Sequence, residues 1–197
     1  MGSETNGTRG CPPTGTLLNA FALVIYIPGS LGSFLDDLRR ELVPHDNPRA
    51  HVSVLPPRPL VAENEWEAAR EQARTLAGRR APFRVEATEI HVFPVTDVIY
   101  LEVGAGEAEL RRMHEAMDSH RLAWQEPFPY HPHITLAQEV PGDRVQDMRE
   151  LAETRWREFA GPKWFVAERV TFVRNSAGNH WVDLAEFPLG EVTPVRR

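Results

Sequence analysis

The run Ala50-His51-Val52-Ser53-Val54-Leu55-Pro56-Pro57 alternates apolar and polar residues as a β-strand does and ends on two prolines. Successive residues of a β-strand point to opposite faces, so His51 and Ser53 share one face while Val52 and Val54 share the other. A second run, His133-Ile134-Thr135-Leu136, repeats the arrangement 82 residues later. Each run sets an imidazole beside a small hydroxyl and offers apolar residues to a core behind them. A single His-x-Ser in a strand is usually an ordinary polar position. Two at matching places of one chain are much harder to obtain by accident.

The segments around these runs suggest why there are two. A strand near Ala20–Ile27, closed by Pro28-Gly29, leads to a helix near Ser33–Leu42 with Phe34, Leu35, Leu38 and Leu42 at helical spacing. After the first motif strand, Ala50–Leu55, a helix near Glu63–Ala77 carries the stripe Trp66, Ala69, Ala73 and Leu76, and a strand follows near Phe83–Phe93. The pattern then restarts: strand Val98–Val103, helix Glu107–His120, strand His133–Ala137, and helix Asp143–Phe159 opened by an Asp143 cap. A strand over Trp164–Val173 pairs with Trp181–Phe187 across the turn Asn175–Asn179. At an offset near eighty, Val24–Ile27 falls on Val98–Val103, His51 on His133, and Ile90/Val92 on Val170/Phe172.

This reads as a duplicated β-α-β-α-β unit. The expected fold is α+β and bilobal, with two small antiparallel-rich sheets flanking a central cleft and helices outside. Residues 1–15 and 191–197 are expected to be tails, the first disordered. Residues 16–190 form one domain, its lobes built from roughly 16–95 and 96–190. A pseudo-two-fold axis between the halves would bring both His runs to one cleft.

Composition sets bounds on function. With 42% hydrophobic and 25% charged residues in 197, the chain is of ordinary globular type. Its longest apolar run, Leu17–Ile27, is too short for a membrane helix, so no membrane partner is expected. The first fifteen residues lack the basic-then-apolar form of a signal peptide. Cys11 is the only cysteine, so no intramolecular disulfide can form, and a cytoplasmic location is the default. A net charge of −6 argues against broad binding of long nucleic acid. A nucleotide or an RNA end needs only a local basic pocket. A monomer is expected.

The chain resembles the 2H phosphoesterases, the superfamily of the bacterial 2′-5′ RNA ligases and RNA 2′,3′-cyclic phosphodiesterases. The resemblance spans about Ala20 to Phe187 and is strongest over Pro127-Phe128-Pro129-Tyr130-His131-Pro132-His133-Ile134-Thr135-Leu136, with Ala50–Pro57 as the second match. It implies that His51 and His133 are the catalytic pair, that Ser53 and Thr135 hold phosphoryl oxygens, and that no metal or cofactor is needed. The substrate implied is a nucleotide or RNA end bearing a cyclic phosphate. Imidazole chemistry supports this independently, because a group with a pKa near 6.5 supplies both general base and general acid at neutral pH.

Gln138 stands where related enzymes often carry a cation after the second motif. Arg58 is either its substitute at the substrate or a solvated loop residue. Tyr130 and Phe128 either stack on a nucleobase or pack the loop onto a lobe. His131-Pro132-His133 has a metal-compatible spacing but no carboxylate or cysteine cluster beside it. The charged run Asp36–Glu41 reads as a solvated helix face. Competing functions are a non-catalytic nucleotide or RNA-end binder, a 2H hydrolase of 2′-5′ oligonucleotides or cyclic dinucleotides, and a metal-dependent hydrolase.

Overall fold

The computed structural model describes residues 17–44, 49–60, 65–176 and 180–190. The expected tails, Cys11 and His45 lie outside them. In chain order the elements are β1 (Leu17–Tyr26), α1 (Gly29–Leu42), β2 (His51–Arg58), α2 (Trp66–Gly78) and β3 (Phe83–Val92). There follow β4 (Ile99–Val103), α3 (Glu107–Met117), a 3-10 turn (His120–Leu122), β5 (His133–Ala137) and α4 (Val145–Glu158). Three strands complete the chain: β6 (Trp164–Ala167), β7 (Arg169–Ser176) and β8 (Trp181–Pro188).

The strands form two four-stranded antiparallel sheets, ordered β2-β1-β7-β8 and β5-β4-β3-β6. The α+β architecture is as the sequence predicts, but the lobes are not the two halves of the chain. β3 of the first half pairs with β4 of the second, and β7 of the second pairs with β1 of the first. Each sheet therefore contains strands from both halves. The segment expected as one strand over Trp164–Val173 is divided at Glu168: β6 joins β3 in one sheet, and β7 joins β1 in the other.

The helices are exchanged as well. α1 of the first half packs on β5, and α3 of the second half packs on β2. Their buried faces match position for position: Leu35, Leu38, Arg39 and Leu42 of α1 against Leu110, Met113, His114 and Met117 of α3. Three apolar residues and one polar residue occupy the same spacing in each. The apolar three bury a stripe one helical face wide. The polar one reaches the opposite half's motif strand: an Arg39 Nη1–H donates to the Thr135 carbonyl, and His114 Nδ1–H donates to the Val54 carbonyl at 2.9 Å. α3 starts behind Gly106, whose φ of 94° and close approach to the Arg84 carbonyl (2.4 Å from where a Cβ would sit) exclude any side chain. α4 begins after Arg144 with no side-chain cap, so the expected Asp143 cap is not formed.

Candidate active site

The two motif strands are built alike. Each begins on its histidine, and the first five residues of each alternate half-buried, buried, half-buried, buried, buried. Val52, Val54, Ile134 and Leu136 go fully into the core, which fixes the opposite face, with His51, Ser53, His133 and Thr135, toward the cleft. All four line a single cleft of about 1070 Å³ between the sheets.

The imidazoles are held by the same device. His51 Nδ1–H donates to the Arg49 carbonyl at 2.6 Å, and His133 Nδ1–H donates to the His131 carbonyl at 2.7 Å. A carbonyl can only accept, so each bond assigns the proton of the neutral ring to Nδ1 and leaves Nε2 as a basic lone pair. Burial is the main influence on both rings and disfavours their charged forms. It pushes His51 down to about 4, with Arg39 and His133 lowering it further against the opposing Arg49 carbonyl. His133 is also lowered, chiefly by burial; its bond to the His131 carbonyl opposes this, neighbouring His131 adds to it, and Glu102 opposes it.

Around these rings the lobes diverge. His133 is set edge-on against Phe93 and Tyr100, at 5.0 and 5.4 Å between ring centres, and His131 Nε2 pairs with Glu102 at 3.0 Å. His51 meets the edge of Tyr26 at 6.3 Å, and the Arg49 guanidinium lies over the Tyr26 ring at 3.8 Å. The Tyr26 hydroxyl donates to Asp183 at 2.6 Å.

Arg39 is the functional candidate that sequence reading missed. It lies within the charged run taken as a solvated helix face, yet it is only 3% exposed and borders the cleft. Asp36, in the same run, accepts the Ala50 N–H at 2.6 Å and anchors the start of β2. The signal was present: residues 36 and 39 flank the apolar positions 35, 38 and 42 on one side of α1.

Arg58 takes neither of its expected roles. Its side chain is buried behind the cleft, ion-paired to Asp118 at 2.7 Å and to Glu126, and donating to the Leu122 carbonyl at 3.0 Å. With its donors committed to one wall of the site, it does not reach for substrate. Tyr130 borders the cleft, but its ring lies flat on His114 at 3.8 Å and its hydroxyl donates to the Ser53 carbonyl at 2.8 Å. One face of its ring is thus taken up by His114. Phe128, 54% exposed, and Trp124, 45% exposed, also border the cleft. Among the described residues no cluster of three His, Cys, Asp or Glu side chains has metal-binding geometry, and no helix is long and apolar enough to cross a membrane.

Comparison with known proteins agrees with this geometry. A protein of Bacillus licheniformis named "Putative phosphoesterase" is 32% identical over 131 residues, covering 66% of this chain and 75% of its own. One of Geobacillus kaustophilus bearing the same description is 27% identical over 136 residues, or 65% and 74% of the two chains. Among solved structures, a Thermus thermophilus protein superposes with a TM-score of 0.64 at 19% identity, covering 87% of this chain and 98% of its own. Escherichia coli LigT complexed with phosphate does so with 0.61 at 15% identity, covering 88% and 99%. The family model described as the 2′-5′ RNA ligase superfamily matches residues 27–179, and with both histidine motifs inside that span the chain belongs to this 2H phosphoesterase family.

Proposed function

We propose that this chain is a metal-independent phosphodiesterase that opens 2′,3′-cyclic phosphates of RNA ends or small nucleotides. The observation that carries the reading is the equivalent seating of His51 and His133 in one cleft, each with Nδ1–H tied to a carbonyl two residues upstream. Such a pair presents two Nε2 atoms to a single ester.

In the forward direction His51, the more strongly depressed imidazole, takes a proton from water. The water oxygen bonds to phosphorus, and the bond from phosphorus to one ribose oxygen breaks. Protonated His133 gives that oxygen its proton, leaving a 2′- or 3′-monophosphate. Ser53 and Thr135 donate their hydroxyls to the non-bridging oxygens, where negative charge must be accommodated. Arg39 adds a fixed positive charge beside them. These groups supply both proton transfers and the oxyanion contacts, so no step calls for a metal. With a 5′-hydroxyl in place of water as the attacking group, and the bond from phosphorus to O3′ as the one broken, the same proton transfers join two RNA ends through a 2′-5′ linkage.

Nucleotide binding is supported by similarity of fold to LigT, which has been crystallised with 3′-AMP. The test is a panel of nucleoside 2′,3′-cyclic phosphates, 2′-5′ oligonucleotides and cyclic dinucleotides assayed in excess chelator. Release of a monophosphate from a cyclic phosphate is the expected result, and its isomer identifies the broken bond. Turnover that chelator abolishes, or tight binding of every compound without turnover, overturns the proposal.

A further inference from the structure

Among the described residues that line the cleft, Arg39 and Arg49 are the only arginine or lysine side chains, and the carboxylates are Glu126, Glu139 and Asp183. Beyond His133, at the end of β5, the lining continues into Gln138 and Glu139. The two arginines are not alike. Arg39 is buried and bonded to the Thr135 carbonyl, whereas Arg49 is exposed, with its side chain 60% accessible.

The guanidinium carbon of Arg49 sits 3.8 Å from the centre of the Tyr26 ring, a cation–π contact that holds the group in place without consuming its N–H donors. Among the described residues its ionic partner is Asp183, at 3.6 Å and beyond hydrogen-bond length, and the other oxygen of that carboxylate is engaged by the Tyr26 hydroxyl. Tyr26 lies between Arg49 and His51, 3.8 Å from the guanidinium and 6.3 Å from the imidazole, so that the two lie within about 10 Å of each other. The sugar of one nucleotide bridges such a separation.

We propose that Arg49, held over Tyr26, forms a second-anion subsite that selects substrates carrying another phosphate group besides the reacting one. The subsite presupposes the phosphodiesterase function proposed above and assigns its substrate class: a 5′-phosphorylated nucleotide or an oligonucleotide end. The extra phosphate seats on the His51 side, where Arg49 and His51 both lie against Tyr26.

Calorimetric binding of reaction products tests this without requiring turnover. The probes are a nucleoside 3′-monophosphate, the matching 3′,5′-bisphosphate, and a dinucleotide ending in a 3′-phosphate compared with its neutral methylphosphonate-linked analogue. The second phosphate is expected to tighten binding about tenfold at low salt, as a charge-assisted contact does. That ratio should fall to about one in Arg49→Gln and survive in large part in Arg49→Lys, which keeps the charge. A larger gain for the bisphosphate marks small nucleotides, and a larger gain for the dinucleotide marks RNA ends. An unchanged ratio in Arg49→Gln, or no gain in the unaltered protein, overturns the subsite. A persisting ratio in a protein that turns over no cyclic phosphate leaves the subsite standing and removes the hydrolase; no binding by any probe removes both.

Discussion

The His51 and His133 walls of the cleft share a skeleton and differ in what surrounds it. Strand start, burial alternation and the upstream carbonyl that orients the imidazole are the same in both. So is the helix that reaches across from the other half, up to the one polar position in its buried stripe. There α1 places Arg39 and α3 places His114. A permanent cation beside the cleft helps to hold His51 down near 4. His114, bonded to Val54 on the His51 strand, instead supports Tyr130, and beside His133 Glu102 opposes the burial that lowers that imidazole. The repeat thus holds two like imidazole–hydroxyl units in unlike surroundings, and the proposed mechanism uses His51 as the base and His133 as the acid.

That division can be broken most severely at the imidazoles. His51→Ala or His133→Ala should each lower kcat on a 2′,3′-cyclic phosphate by about 10²–10⁴-fold, read by product release. Near-full activity in either would dissolve the pairing. Ser53→Ala and Thr135→Ala should each cost about 10²-fold in kcat, with little change in folding. Unequal losses would show which wall carries more of the oxyanion. Arg58→Met leaves Asp118 and Glu126 without their buried cation and should destabilise the protein by about 2–4 kcal/mol, measured by denaturant unfolding. The cost should appear as stability first, since Arg58 ties the end of β2 to the segment after α3. The mildest test is pH. Neutral His51 persists down to about pH 4, so the acid limb of kcat/KM should fall near there. The basic limb follows loss of the His133 proton and, because that pKa is lowered, the optimum should lie on the acid side of 6.5. His51→Ala should erase the acid limb and leave the basic one.

Much of this site was legible in the residues alone, because period-2 alternation fixes which side chains share a strand face and the repeat fixes which strands correspond. What stayed hidden was exchange between the halves. Apolar alternation through Trp164–Val173 records burial but not which sheet a residue joins, so the break at Glu168 left no mark in the pattern. Arg39 and Arg58 were obscured for a related reason. Charge predicts exposure only where a buried partner is absent, and their partners, the Thr135 carbonyl and the carboxylates of Asp118 and Glu126, lie 60 or more residues away in sequence.

The exchanged strands have a consequence for how the molecule can be taken apart. With β3 and β7 each zipped into the other half's sheet, a polypeptide severed in the Pro94–Asp97 connection has two pieces, each lacking a central strand that only its counterpart can donate. Neither should fold by itself. Mixed together, they should reassemble into an active whole, as a natural split enzyme.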